Sequence, residues 1–451
     1  MFRQLINIAS NTFLEAVRQP VYFVALTAGW LLQILNVALS GYNMGLTDNA
    51  EVTKDDKMLL DVGLATVFVV STLLAAMICT SVVSREIENK TALTVISKPI
   101  GRPIFVLGKY LGATAAVMLA GVILSIFFLL ALRNGVLSTA RDHVDTVVVA
   151  FGLGAVLVSV LVGAWGNFFY GWVFSSTTAF LLAPLTLLGW MGTLVLNENW
   201  HVQYFLTDWK PNVMLTIACV LLAMPVLSAV ALAASTRLGQ VMTIVVCAGV
   251  FLGGMLSNHV FGRRAIVNSA IARLEAVEAN SDADSDLSDP GDRWTLTLES
   301  SPAEGLSPGQ TIYYGASPSG LGLIPTGQIP YDGDPSNPNA LIDTDARALI
   351  VRTLRGEKLD SLEIVNAGGY APTRPPMARD YIFTSETEYN PVSLGAWGVI
   401  PNMQFFWLVD AVTQAHAIPP RYVGMTALYS LSQIFALNGL AVLLFQRREV
   451  G

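Results

Sequence analysis

The sequence predicts an all-α polytopic membrane protein of about eight transmembrane helices, interrupted by an acidic insert that contains short β-strands. Three observations predict it. Seven long apolar runs fall between Val21 and Met255, and an eighth runs from Tyr422 to Phe445. Most exceed the roughly 20 residues needed to cross the about 30 Å hydrocarbon core of a bilayer. Only 13% of the residues are charged, against about 25% in a soluble domain. The charge is also partitioned: residues 259–421 hold 20 of the 33 acids and 11 of the 26 bases, a balance of −9 within a total of −7. That distribution offers no basic surface to a nucleic acid. Cys79, Cys219 and Cys247 all lie in apolar runs and read as small buried hydrophobes, so no disulfide braces the insert.

Residues 1–19 place Phe2, Leu5, Ile6, Ala9, Phe13, Ala16 and Val17 at helical spacing, with Arg3, Gln4, Asn7, Asn11, Glu15 and Arg18 on the other face. This is an amphipathic helix, on a membrane surface or against a partner, ended by Pro20. No cleavable targeting signal is apparent, because the first run is full-length and no small-residue cleavage site follows it.

The predicted spans are 21–40, 58–83, 105–132, 147–173, 179–196, 213–235, 238–258 and 422–445. Arg and Lys in short loops set the orientation. With the N-terminus inside, the inner segments hold Arg3, Arg18, Arg85, Lys90, Lys98, Arg102, Lys109, Arg237, Arg447 and Arg448. The short outer loops hold Lys54, Lys57, Arg133, Arg141 and Lys210. Eight spans return the C-terminus to the inside, which agrees with that bias. The assignment turns on 165–196, where the break at Ser175–Thr178 carries no charge. A single kinked span there would invert everything that follows and make the insert cytoplasmic.

The insert, 259–421, opens with AIVNSAIARLEAVEAN, which reads as a helical continuation of the seventh span. SDADSDLSDPGD follows, a structureless linker by composition. RWTLTLES and TIYYG alternate as short strands do. Residues 402–416, NMQFFWLVDAVTQAH, form an amphipathic helix candidate whose aromatics suit the membrane interface.

The most informative loop is 84–109, SREIENKTALTVISKPIGRPIFVLGK, on the basic side. A short helical segment, Arg85 to Ile96, is closed by Pro99 and Pro103. Pinned between two spans, it could act as a lever that passes on force from a cytoplasmic partner, because a rigid element moves as a unit. Equally, it reads as an ordinary solvated turn.

The segment REIENKTALTVISKPIGRPIFVLGKYLG resembles the loop after the second span in ABC-2 type transporter permeases. Glu86, Glu88, Asn89, Thr91, Ser97, Lys98, Pro99 and Arg102 carry the likeness, and with Arg85 they are the residues it implies for coupling to an ATPase, Pro99 excepted. The N-terminal surface helix, the turn FSST and the short basic tail are similar to that family too. The resemblance covers 1–258 and 400–451, and departs from the family's six-span core by two extra spans and the insert. It implies the permease half of an ABC exporter in a bacterial inner membrane, with both termini cytoplasmic. It further implies a dimer with a second copy or a homologous permease, in contact with membrane lipid, and residues 84–102 against a separate ABC ATPase subunit. This chain would bind no cofactor, and ATP and Mg would belong to that subunit. No phosphate loop of the form G-x-x-x-x-G-K-[ST] occurs, since Gly108-Lys109 is followed by Tyr110.

An ion-driven transporter carries its coupling ion or proton on ionisable groups within the membrane. The spans hold essentially none, with Asp61 and Arg133 near their edges. Sodium coupling through backbone carbonyls needs no such group. Asn36 and Asn167 could line a cargo path, or hydrogen-bond across helices for about 1 kcal/mol. The pairs Gly108/Gly112 and Gly249/Gly253 permit close helix approach. Gly305-Leu-Ser307-Pro-Gly309 matches a nucleophile elbow by letter only, because Pro308 lacks the N–H that an oxyanion hole needs. The four histidines lie far apart, with no metal-ligand spacing. The spans hold no charge clamp, which favours lipidic or amphipathic cargo over small ions. From a different class, the chain could be a membrane-anchored structural or sensory protein that works through its insert.

Overall fold

The computed structural model describes residues 2–40, 48–88, 101–137, 143–279, 287, 289–302, 305–318, 328–355, 361–372, 374–409, 412 and 418–446, with the backbone alone at 48–56, 83–88 and 355. The chain forms two compact units. Met1–Met255 with Pro401–Gly451 make the first, and Leu256–Ile400 the second. Segment 401–421, assigned to the insert from the sequence, thus falls with the helical unit.

The helical unit begins with α1, Phe2–Arg18. Among the described residues, eight helices long and apolar enough to cross a membrane follow: α2 (Pro20–Leu39), α3 (Asp48–Glu88), α4 (Arg102–Asn134), α5 (Thr146–Tyr170), α6 (Phe174–Val195), α7 (Pro211–Ser235), α8 (Gln240–Ser257) and α9 (Pro420–Gln446). Hydrocarbon offers the backbone no partner, so each segment satisfies its own N–H and C=O groups as a helix. Pro20 and Pro211 begin α2 and α7, where the missing N–H costs nothing. Helix α3 has 41 residues, about 60 Å of helix, or twice the hydrocarbon thickness. It therefore projects beyond its span, Lys57–Val82, at both ends.

Helices α3, α4 and α7 form the centre of this unit and the others surround them. Phe68, Ile78, Ile123, Leu124, Phe128, Val226 and Leu227 fill the core. Glycines bring the helices close, since a Cβ at Gly29 would meet Leu124, one at Gly63 Phe128, and one at Gly121 Met224.

Residues 165–196 form a hairpin of two spans. Gly163 lies beside Thr178, while Gly189 and Gly192 lie beside Phe151, so α5 and α6 run antiparallel. The break falls at 171–173, not at Ser175–Thr178. Gly171 adopts φ +66° and ends α5, with the Trp172 N–H donating to Gly166 O. The serines and threonines belong to the first turn of α6, where Ser176 and Thr177 hydroxyls donate to Val173 O at 3.1 and 3.0 Å. Around this turn Trp165, Phe168, Phe169, Tyr170 and Trp172 are exposed; Phe169 is tilted against Trp165 and edge-on to Phe168, and Tyr170 stacks on Trp172.

At the opposite end of the unit, Arg133 ties four segments together. Its Nε donates to Asp145 Oδ2 at 3.1 Å and its Nη2 to Leu196 O at 2.6 Å, with Asp208 3.7 Å away. Asp145 also caps α5 by accepting from the Val147 and Val148 amides.

The second unit is built on a six-stranded antiparallel sheet in the order β4–β7–β2–β3–β6–β5. Its strands are β2 (Ala272–Ala279), β3 (Arg293–Leu298), β4 (Tyr313–Gly315), β5 (Ala348–Arg355), β6 (Ser361–Ala367) and β7 (Tyr381–Phe383). A separate ladder pairs β1 (Ile266–Val267) with β8 (Glu388–Tyr389). Side chains alternate between the two faces of a strand, and here both faces are buried. Leu349, Val351, Leu362 and Ile364 enter one apolar cluster, whereas Ala348, Ile350, Val365 and Ala367 enter another.

Two helix expectations are corrected here. Helix persists only to Ala265, and ARLEAVEA is strand β2, hydrogen-bonded to β3 on one side and β7 on the other. Pairing on both edges, with Leu274 buried, overrides the helix propensity of Ala, Leu and Glu. Within 402–416 a 3-10 turn, Met403–Phe406, replaces helix at the start, whereas the described residues Val409 and Val412 are helical, with the Val412 N–H donating to Leu408 O at 3.2 Å. Met403, Phe406 and Val409 are buried in the bundle core, while residues 410–411 and 413–417 lie outside the described set. Of the acidic linker, 280–286 and 288 also lie outside it, and Leu287 is buried in the sheet's apolar cluster.

Glu363 on β6 is buried. Burial pushes its carboxyl up, but hydrogen bonds from Arg352 (2.9 Å) and Thr353 (3.1 Å), with the charges of Arg352 and Arg293, outweigh burial and hold it below its ordinary value. A carboxyl lowered in the folded state stabilises fully above its unfolded value, about 4.5, and loses that contribution as pH falls through the folded one. Amide protection in β3, β5 and β6 of the full chain should therefore fall on acidification below about 4.5, and Glu363→Gln should flatten that dependence. Equal pH slopes in the two proteins would count against the assignment. At the helical end, Arg133→Met strands Asp145 without its cation and should destabilise by about 3–5 kcal/mol, read as a lowered melting temperature in detergent.

Candidate functional site

The predicted loop lies between α3 and α4. Arg85, Glu86 and Glu88 sit in the end of α3 that projects beyond its span, with backbone alone described. Asn89, Thr91, Ser97 and Lys98 lie outside the described residues. Arg102 is the first residue of α4, with Gly101 as N-cap and Pro103 next. Its Nη1 donates to Gln446 O at 3.0 Å, placing a cation at the carbonyl end of α9, where a helix dipole favours it.

Helix α1 packs along the start of α4. Thr12, Ala16 and Val17 are its buried face. Gly108 and Gly112 make the approach possible, because a Cβ at Gly108 would strike Ile8 and one at Gly112 would strike Ala9 O and Thr12. The four-residue glycine spacing thus binds α1 rather than another span. The second pair differs: nothing lies within 4 Å of the Cβ positions of Gly249 and Gly253.

Lys109, between the two glycines, is buried inside α4 although the sequence counted it among the loop cations. Its ammonium lies 3.7 Å from Glu15 of α1 and over the Phe105 ring at 5.8 Å. The junction of α1 and α2 is fastened twice more. Gln19 Nε2 donates to Ser81 Oγ of α3 at 2.7 Å, and the Ser175 hydroxyl of α6 donates to Val17 O at 2.8 Å. Phe23 meets Phe174 edge-on at 4.9 Å, and Phe105 stacks on Phe445 at 5.7 Å.

The arrangement is mechanical. A helix outside the spans is locked to α3, α4 and α6 at the end of the unit where the α3–α4 loop emerges. Displacing it would carry those three with it. Among the described residues, no three His, Cys, Asp or Glu side chains come together as a metal site would require.

The two asparagines have different places. Asn36 is buried, donates to Leu59 O of α3 at 2.9 Å and accepts from the Ser40 hydroxyl, so it joins α2 to α3. Asn167 is exposed and donates to Trp172 O at 2.6 Å, closing the α5–α6 turn. Sequence reasoning missed Glu15, Gln19, Ser81 and Ser175. No partner on another helix is legible for any of them, and only the glycine spacing signals the contact.

Residues 6–165, covering most of α1 through α5, match a family model described as ABC-2 family transporter protein. No curated protein and no solved structure matches the chain. The family consists of transmembrane subunits rather than catalytic ones and implies association with an ABC ATPase subunit. Over residues 6–165, about a third of the whole, the chain is similar to ABC-2 type permeases, and with eight apolar helices among the described residues the match supports a multi-pass membrane protein.

Proposed function

We propose that the chain is the permease of an ATP-driven exporter and is moved by a separate ATPase through α1 and the α3–α4 loop. The observation that carries this reading is the docking of α1 on α4 through Gly108 and Gly112, with the Lys109–Glu15 ion pair between them. Arg85, Glu86, Glu88, Asn89, Thr91 and Ser97 would contact the ATPase, while Lys98 and Arg102 set topology. ATP and Mg would be held by that subunit. Two permease chains, identical or homologous, would complete the exporter in a bacterial inner membrane, with both termini cytoplasmic and the insert outside. The inner concentration of Arg and Lys supports that orientation.

A tagged full-length chain should co-purify with an ABC ATPase, and Glu86→Arg with Glu88→Arg should release it while the permease stays in the membrane. Recovery of the chain without any ATPase under conditions that preserve membrane complexes would overturn the reading. A reporter fused after Ser300 should be active only outside the membrane; cytoplasmic activity would reverse the orientation. Gly112→Leu should detach α1, seen as faster amide exchange in residues 5–17. It should also lower ATP turnover of the complex at least tenfold with the ATPase still bound.

A further inference from the structure

The helix Pro391–Val399, which belongs to the insert's unit, has its amphipathicity reversed. It packs on the end of the apolar helix that continues α8 as far as Ala265. Trp397 Nε1 donates to Asn258 Oδ1 at 3.1 Å, and the indole lies beside Gly262. Ser393, Ala396, Trp397 and Ile400 are half-buried, at the spacing of one helix face. Opposite them Pro391, Val392, Leu394, Gly395, Gly398 and Val399 are exposed, with Val392 at 79% and Val399 at 78%. A helix on a watery surface turns its polar residues outward. Here the outward face has none, and the one hydroxyl, Ser393, is on the packed side.

Single exposed valines are ordinary on soluble proteins; charge and depth point here to lipid. Residues 389–409 carry no Asp, Glu, Lys, Arg or His, although the insert as a whole is acidic. The helix Gln240–Ala265 has 26 residues, about 39 Å of length, or about 9 Å more than the hydrocarbon core. Arg237 precedes its first turn and marks one edge of that core. Asn258, about 27 Å along from Gln240, therefore falls at the other edge, and Trp397 is held to it. Arg263 and Arg264 follow, both exposed, at a depth where long cationic side chains reach headgroups.

We infer that this helix lies in the plane of the bilayer at the boundary of headgroups and acyl chains, with Val392, Leu394 and Val399 among the chains. Its partner is lipid of the leaflet on the insert's side, whichever compartment that is. The contact therefore stands or falls separately from the orientation and the ATPase coupling proposed above.

Cys79, Cys219 and Cys247 are buried, so a nitroxide spin label can be directed to Val392→Cys or Val399→Cys of the full chain in phosphatidylcholine nanodiscs. A label at Ile342→Cys, a position 56% exposed in the same unit, controls for the label's own affinity for lipid. Power saturation reads collisions with oxygen, which concentrates in hydrocarbon, and with a water-soluble nickel chelate. The oxygen-to-nickel ratio should be roughly tenfold higher at 392 and at 399 than at 342, because the polar chelate is costly to transfer out of water. A ratio at either position no higher than at 342 would place the helix in water and overturn the inference. Shielding of 392 and 399 from both reagents would overturn it too, since protein rather than lipid would then cover the face.

Discussion

Hydrocarbon cannot hydrogen-bond, and the helical unit is arranged around that constraint. Each span is a helix because nothing else satisfies its backbone there. Many polar side chains within the spans follow the same rule. Thr66, Thr72, Thr80, Ser125 and Ser159 return their hydroxyls to the carbonyl four residues earlier. Asn36 reaches across to a neighbouring helix, and Lys109 is neutralised by a carboxylate from outside its own span. Satisfaction is incomplete, since Gln33 Oε1, Ser71 Oγ, Thr178 Oγ1 and Ser228 Oγ are buried with no hydrogen-bond partner.

Water-driven burial does little between helices in lipid, so their association relies on close packing. Glycine supplies it repeatedly, at Gly29, Gly63 and Gly121 among the spans and at Gly108 and Gly112 beneath α1. A helix held this closely has little freedom to slide, which is what a transmission element requires. The insert solves a different problem. Its sheet lies in water, and its two buried faces give β5 and β6 apolar partners on both sides.

The spans were legible because twenty apolar residues in a row admit few other folds. Their connection between α5 and α6 was legible only in kind. Ser and Thr resemble a turn by composition, yet Gly171 alone could take the positive φ that ends the helix. ARLEAVEA was misread because its local preference is helical, and of its two partners β3 comes only after the acidic linker while β7 lies far along the chain, pairing Ala272 with Ile382. The loop after α3 was recognised from its residue pattern. Its surroundings were not, since Gln19, Ser81, Ser175 and the terminal carbonyl of α9 come together only when several helix ends converge.

The turn between α5 and α6 carries five exposed aromatic rings, three grouped around Phe169 and a stacked Tyr170–Trp172 pair. Trp and Tyr partition to the boundary between headgroups and acyl chains, so this knot acts as a depth gauge for the hairpin. Thinner or thicker bilayers would then change the hairpin's tilt instead of letting it ride up or down. Because Ser175 begins α6 and grips the end of α1, membrane thickness becomes a mechanical input to the same helix that the ATPase would push.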